Sequence, residues 1–179
     1  MKPAQPIVLI GMMGSGKTSI GKLVAQELNF TFIDTDFEIE KKLNLSVKEI
    51  FENYGETLFR KKEFDVFKLF GNRNNIIISS GGGSFCNPST YDLIKKNYLS
   101  VWLDVNEEIL FNRLKRNQKK RPLLYGLKEN ELRNKVKNLI SERKDCYNKA
   151  DIKVELSDQK IKESFYVTYS KIISYISKN

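Results

Sequence analysis

Short apolar runs alternate with longer segments of helical periodicity along the chain. Residues 7–10, 30–33, 76–78, 101–103 and 152–156 are brief and rich in β-branched or aromatic side chains, which predicts strands. The first and third are apolar throughout, the pattern of strands covered on both faces as in a parallel sheet. Between them, residues 17–28, 57–70, 88–96, 107–116, 129–147 and 159–176 carry apolar positions every three to four residues and predict helices. A β-α succession of this kind implies an α/β fold.

Several ends carry their own signals. Ser46 with Glu49 forms a capping box ahead of residues 47–51, and Asn87 followed by Pro88 reads as an N-cap with proline at the first helical position. Gly71, followed by Asn72, Asn74 and Asn75, reads as a helix stop and turn. No repeat, low-complexity tract or linker divides the chain, so residues 1–179 are expected to form one domain. Residues 36–70 and the basic loop 117–127 read as excursions from the sheet.

Composition narrows the chemistry. With 179 residues, 40% hydrophobic and 30% charged, the chain is long enough to bury roughly 70% of its unfolded surface without a disulfide or structural metal. Cys86 and Cys146 lack metal-ligand spacing and form no disulfide framework, so two free thiols in a reducing cytoplasm are expected. There is no histidine, which excludes a Ser-His-Asp triad, a His-ligated zinc and any histidine base. Thirty-one Lys and Arg against 22 Asp and Glu give a net charge of +9, which favours anionic partners of unspecified kind. The opening residues have too short an apolar run for a signal peptide, and no stretch approaches the roughly 20 apolar residues of a membrane span. A cytosolic protein without a membrane partner is expected.

Directly after the first predicted strand comes Gly11-Met12-Met13-Gly14-Ser15-Gly16-Lys17-Thr18, a full match to the phosphate-binding pattern G-x-x-x-x-G-K-[ST]. Glycines let backbone N–H groups turn inward around phosphates, and the following helix start adds a favourable dipole. Lys17 would reach the β- and γ-phosphates and the Thr18 hydroxyl would ligate Mg²⁺. The apolar run 76–78 ends not in a single acidic residue but in Ser79-Ser80-Gly81-Gly82-Gly83. Acidic residues instead follow the second strand, as Asp34-Thr35-Asp36. At the carboxyl ends of neighbouring parallel strands both features would face the phosphate loop. This is closer to a small-molecule kinase than to a motor or switch.

Asp34 can hold metal-bound water while Asp36 orients an acceptor hydroxyl. The same two residues can equally cap the following helix. Three consecutive glycines serve a flexible turn, or a place where backbone must come close to something, a ligand being one reason.

At this point the chain resembles the shikimate kinase family over nearly its whole length. The resemblance rests on Gly11 to Thr18, Asp34-Thr35-Asp36, Phe59-Arg60-Lys61-Lys62-Glu63, Gly81-Gly82-Gly83, Arg121-Pro122-Leu123-Leu124 and Arg143-Lys144-Asp145-Cys146-Tyr147, in order and at about the family's spacing. It implies the doubly wound fold of the nucleoside-monophosphate kinases, a parallel five-stranded sheet in the order 2-3-1-4-5. It also implies a monomeric ATP:shikimate 3-phosphotransferase of the chorismate route to aromatic amino acids, with Mg²⁺ accompanying ATP. Gly14, Ser15, Gly16, Lys17, Thr18 and Ser19 would hold ATP. Arg121 would close over its phosphates from a lid at about 117–127, and Arg116 would stack on adenine. Thr18 and Asp34 would serve the metal. Asp36, Arg60, Gly82 and Arg143 would bind the acceptor in a region at about 34–70 and beyond, with Glu63 holding Arg60. Lys17, Asp36 and Arg121 would carry the catalysis. Two positions depart from the family's pattern: Lys149 stands where an acidic residue is common, and Cys146 where an aliphatic one is frequent.

Read without the resemblance, Arg60 is an ordinary solvated helix residue among Lys61, Lys62 and Glu63, and Arg143 could pair with Glu142 or Asp145. A gluconate kinase is the nearest rival enzyme, but that family carries a histidine near its acidic motif and this chain has none. A nucleotide kinase needs a base pocket in place of paired carboxylate-binding arginines. A nucleic-acid binder would show basic residues interleaved with aromatics, whereas the excess lysines here are scattered.

Overall fold

The computed structural model describes residues 5–118 and 121–178, so Lys119 and Lys120 of the predicted basic loop lie outside the described residues. Five parallel strands, β1 (Ile7–Ile10), β2 (Thr31–Asp34), β3 (Ile76–Ser79), β4 (Leu99–Val105) and β5 (Ile152–Leu156), form one sheet in the order β2-β3-β1-β4-β5. The expected order is thus found. β1 and β3 are buried along their full length, as unbroken apolar strands should be, while the edge strand β5 alternates buried and exposed residues. The helices α1 (Lys17–Leu28), α2 (Thr35–Leu43), α3 (Val47–Phe70), α4 (Pro88–Asn97), α5 (Glu107–Arg116), α6 (Glu129–Tyr147) and α7 (Ile161–Lys178) cover the sheet. No described helix is long and apolar enough to cross a membrane.

Departures from the expected boundaries have local causes. Asn29 adopts a left-handed conformation (φ 55°) and Phe30 donates its N–H back to Ala25 at 2.8 Å. Phe30 therefore closes α1, and β2 starts one residue later than its apolar run. β4 is longer than its apolar run because buried Ser100 interrupts the pattern, its N–H bonded to the Asp151 carboxylate at 2.9 Å. The Ser46 capping box and the Asn87-Pro88 start are both present. The helix that the capping box opens runs on to Phe70, broken at Gly55 (φ 78°, ψ 172°). Gly71 ends it in an ordinary helical conformation (φ −62°), and the left-handed residue of that turn is Asn75 (φ 59°). Space accounts for Gly71, since a Cβ there would meet the Phe67 carbonyl at 3.2 Å and the Tyr98 ring at 3.4 Å.

Register matters most at the carboxyl ends. Asp34 of β2 pairs with Ser79 of β3, and Leu9 of β1 also pairs with Ser79. The acidic pair, the serine-glycine stretch and the phosphate loop therefore leave the sheet side by side, in the crevice where doubly wound folds bind ligands.

Candidate active site

The phosphate loop turns sharply between β1 and α1. Gly16 occupies the N-cap position with φ 96°, a conformation that side chains other than glycine rarely adopt. Lys17 follows as the first helical residue and folds over the loop, its Nζ donating to the carbonyls of Gly11 and Met12 at 2.8 Å each. Burial lowers its pKa to about 8, with the Arg121 charge acting in the same direction and Asp36 and Asp34 opposing.

Around this loop lies a cavity of about 340 Å³ lined by Gly14, Gly16, Lys17, Thr18, Ser19, Asp34, Asp36, Gly82 and Arg121, together with Arg113 and Asn117. Nearly all residues expected to meet ATP converge here. Ser15 does not line it: its side chain is buried, and its Oγ has no hydrogen-bond partner among the described residues. Arg116 lies exposed on the last turn of α5, outside this lining. One turn earlier, Arg113 reaches the Gly14 carbonyl at 3.3 Å, a contact that sequence spacing alone did not single out.

Asp34 caps the following helix, as one of the two readings of the acidic pair expects, and has a second partner. Its Oδ1 accepts from the Asp36 N–H at 3.2 Å and so caps α2, while its Oδ2 accepts from the Thr18 hydroxyl at 2.9 Å. Thr18 also lies 3.3 Å from the Ser79 hydroxyl. A hydroxyl and one carboxylate oxygen are hard donors, and Mg²⁺ commonly takes one or two such protein ligands while keeping waters and substrate phosphates for the rest. The donor set fits that ion. Among the described residues no cluster of three or more Asp, Glu, Cys or His forms a metal cage.

Asp36 projects into the cavity from the first turn of α2. Burial raises its pKa to about 6, helped by the neighbouring Glu63 and Asp34 charges and opposed by Lys17 and Arg121. Thr35, between the two acids, is fully buried and unites the site from below: its Oγ1 donates to the Ser79 carbonyl at 3.3 Å and accepts from the Gly81 N–H at 3.1 Å.

Beyond Asp36 the cavity continues into a narrow recess of about 80 Å³ lined by Asp36, Arg60, Gly82, Arg121 and Arg143, with Phe51, Phe59 and Leu123 as an apolar wall. Arg60 is not the solvated helix residue it could have been. Glu56 holds its Nη2 at 2.7 Å and fully buried Glu63 binds Nη1. Ser84 donates to the other Glu63 oxygen. Burial pushes the Glu63 carboxyl up, against the pull of Arg60 and Ser84. Arg143 forms no ion pair with Glu142 or Asp145 among the described residues. It lies 4.0 Å from the Met12 sulfur and close to Tyr147, whose hydroxyl donates to the Gly82 carbonyl.

The glycine triplet is explained by these side chains. A Cβ on Gly81 would strike the Glu63 carboxylate, one on Gly82 would stand 3.1 Å from Arg143 Nη1, and one on Gly83 2.5 Å from Arg60 Nη2. The groups that come close to the triplet are the protein's own side chains, Glu63, Arg143 and Arg60.

A parallel sheet in this order, a phosphate loop at its crevice and an adjoining recess that pairs two guanidinium groups with a carboxylate define a small-molecule P-loop kinase. The sequence pattern of shikimate kinase matches residues 13–176. A shikimate kinase of Aquifex aeolicus (strain VF5) is 41% identical over 149 residues, covering 83% of this chain and 85% of that protein. The structure of shikimate kinase from Acinetobacter baumannii in complex with shikimate superposes with a TM-score of 0.89 at 28% identity, over 97% of this chain and 96% of that one. The crystal structure of the Aquifex aeolicus enzyme does so with a TM-score of 0.80 at 36% identity, over 95% and 97%. The chain belongs to the shikimate kinase family.

Proposed function

We infer that this chain transfers the γ-phosphoryl group of ATP to the 3-hydroxyl of shikimate, giving ADP and shikimate 3-phosphate on the route to chorismate and the aromatic amino acids. The observation that carries this reading, in a chain of this family, is the recess that sets Arg60, Arg143 and Asp36 around one space opening onto the phosphate loop. Shikimate is a small triol with one carboxylate. Guanidinium forks suit the acid, and a carboxylate with a backbone N–H at Gly82 suits the hydroxyls.

Each residue then has a definite task. Arg60, oriented by Glu56 and Glu63, and Arg143, set beside Met12, grip the substrate carboxylate from two helices. The Asp36 carboxylate accepts a hydrogen bond from the attacking hydroxyl and takes its proton as the oxygen–phosphorus bond forms. A pKa near 6 leaves it mostly ionised at neutral pH, yet more basic than an ordinary aspartate. Lys17 and Arg121 meet negative charge spreading over the transferring phosphoryl oxygens, and the loop from Gly14 to Ser19 cradles the phosphates. Arg121 approaches from the lid loop, and the exposed Arg116 guanidinium offers a face for adenine. Mg²⁺ bound with ATP, served by Thr18 and through water by Asp34, would neutralise part of the phosphate charge.

Every group invoked comes from one chain, which supports action as a monomer, and a cytosolic location suits both the free thiols and the soluble substrates. The test is direct. With MgATP and shikimate, phosphorus NMR should reveal one new phosphomonoester on the 3-oxygen and stoichiometric ADP. ADP release that is independent of shikimate, with no such ester, contradicts the reading.

A further inference from the structure

Cys86 and Cys146, far apart in the sequence, meet beside the acceptor recess. Cys86 ends a 3-10 turn, Ser84–Cys86, immediately after the glycine triplet, and its N–H donates to the Gly83 carbonyl at 3.1 Å. Cys146 lies in the last turn of α6 between Arg143 and Tyr147. The turn packs against α6. Both thiols are half-buried, and Cys146 is near enough to Cys86 to push its thiol up. Cys86 also lines a surface cavity of about 840 Å³, behind the two arginines, together with Arg60, Gly83, Glu142 and Arg143. A small solute can therefore approach Cys86 without passing the phosphate loop.

We propose that Cys86 and Cys146 are an oxidisable dithiol site, which hydrogen peroxide closes to a disulfide that misplaces Arg143. One thiol is oxidised by peroxide to a sulfenic acid with release of water. The sulfur of the second then displaces the hydroxyl, its proton leaving with that hydroxyl as a second water. Two thiols lose two hydrogens and one peroxide is reduced to two waters. Burial and the adjoining sulfur push the Cys86 thiol up to about 12, so its thiolate is scarce.

A disulfide bond is about 2.05 Å long, so closure draws the sulfurs together by on the order of 1 Å or more relative to a thiol–thiol contact. That movement falls on the last turn of α6, which carries Arg143 and Tyr147, and on the turn next to Gly82, which Tyr147 holds. The consequence for catalysis rests on the reading of Arg143 as a carboxylate ligand. The phosphate loop lies on other elements.

The test treats the purified full chain with hydrogen peroxide and follows both peptide masses and kinetics. Expected are a linked pair of peptides two hydrogens lighter than their sum, and a loss in kcat/KM for shikimate of roughly ten- to a hundred-fold. KM for ATP should be little changed, and dithiothreitol should restore activity. Cys146→Ser should keep its activity through the same treatment, and Cys86→Ser should yield a dimedone-trapped sulfenic acid at Cys146. Two thiols that remain alkylatable after treatment would overturn the site. A formed disulfide with unchanged kcat/KM would overturn its effect on Arg143. The mass measurement needs no substrate, so a chain that never turns over shikimate would defeat the functional reading while the linked peptides still reported on the thiols.

Discussion

Replacing Asp36 by asparagine should stabilise this protein while disabling it. Asp36 carries a negative charge among Glu63 and Asp34 in a largely buried position, and its pKa rises from 3.8 to about 6. A carboxyl held above its unfolded value keeps its proton longer in the native state. Its favourable contribution is therefore full below about pH 4 and is lost as pH rises through 6. Two units at 1.36 kcal/mol each set a ceiling of about 3 kcal/mol on the penalty carried at pH 7.5. Water entering through the cavity trims this, and the charge gains a few tenths of a kcal/mol from the helix start. The net expectation for Asp36→Asn is about 1–2 kcal/mol of added stability at pH 7.5, or roughly 2–8 °C in Tm for a chain of this size. The gain should fade toward zero near pH 4. Thermal unfolding of both proteins across pH 4–7.5, without substrates, measures it. The same variant should lose roughly 10²- to 10⁴-fold in kcat with KM for ATP nearly unchanged. A variant that is less stable at pH 7.5, or whose stability difference ignores pH, would refute the placement of this charge. Loss of stability with kcat retained would leave Asp36 only a structural part in the first turn of α2.

Asp34→Asn keeps a capping oxygen but loses charge at Thr18, so it should shift the Mg²⁺ concentration needed for half-maximal rate upward with less than about 1 kcal/mol change in stability; magnesium titrations of the rate decide it. Lys17→Ala should lose at least roughly a hundred-fold in kcat while its circular dichroism and cooperative unfolding stay near wild type. Arg60→Ala and Arg143→Ala should each raise KM for shikimate roughly ten- to a hundred-fold, with a less than additive double variant because both act on one carboxylate; steady-state kinetics with an analogue lacking the carboxylate should show no such loss. Gly83→Ala drives a methyl against Arg60 Nη2 at 2.5 Å and should raise KM for shikimate without altering KM for ATP, measured in the same assay.

Much of this architecture is legible in the sequence because its strands are short, apolar and punctuated. The phosphate loop follows a strand and opens a helix, and both flanking elements are where the periodicity puts them. What escaped was decided by tertiary contacts. The length of β4 depends on Asp151 satisfying Ser100 from a distant segment, and no local pattern announces that pairing. Helix α2 is only nine residues long and begins inside the acidic motif, so its charged residues read as chemistry before they read as a helix. Asp34 caps that helix and also accepts from Thr18 at the phosphate loop. Arg113 was passed over for Arg116 because a helix turn separates two equivalent guanidinium groups and only packing decides which one faces Gly14. Thr35 had no signal beyond its place between two acids. The reason for three glycines was visible as a need for room, but Glu63, Arg143 and Arg60 as the occupants of that room required the fold.

The central claim, an ATP-dependent kinase whose recess reads an acidic triol, is tested most directly by ADP release coupled to NADH oxidation across a panel of acceptors. Shikimate should support turnover with a kcat/KM at least roughly a hundred-fold above those for quinate, gluconate and the nucleoside monophosphates, since groups built to pair one acceptor are left unpaired by the others. Equal or greater turnover with gluconate or a nucleoside monophosphate would contradict it.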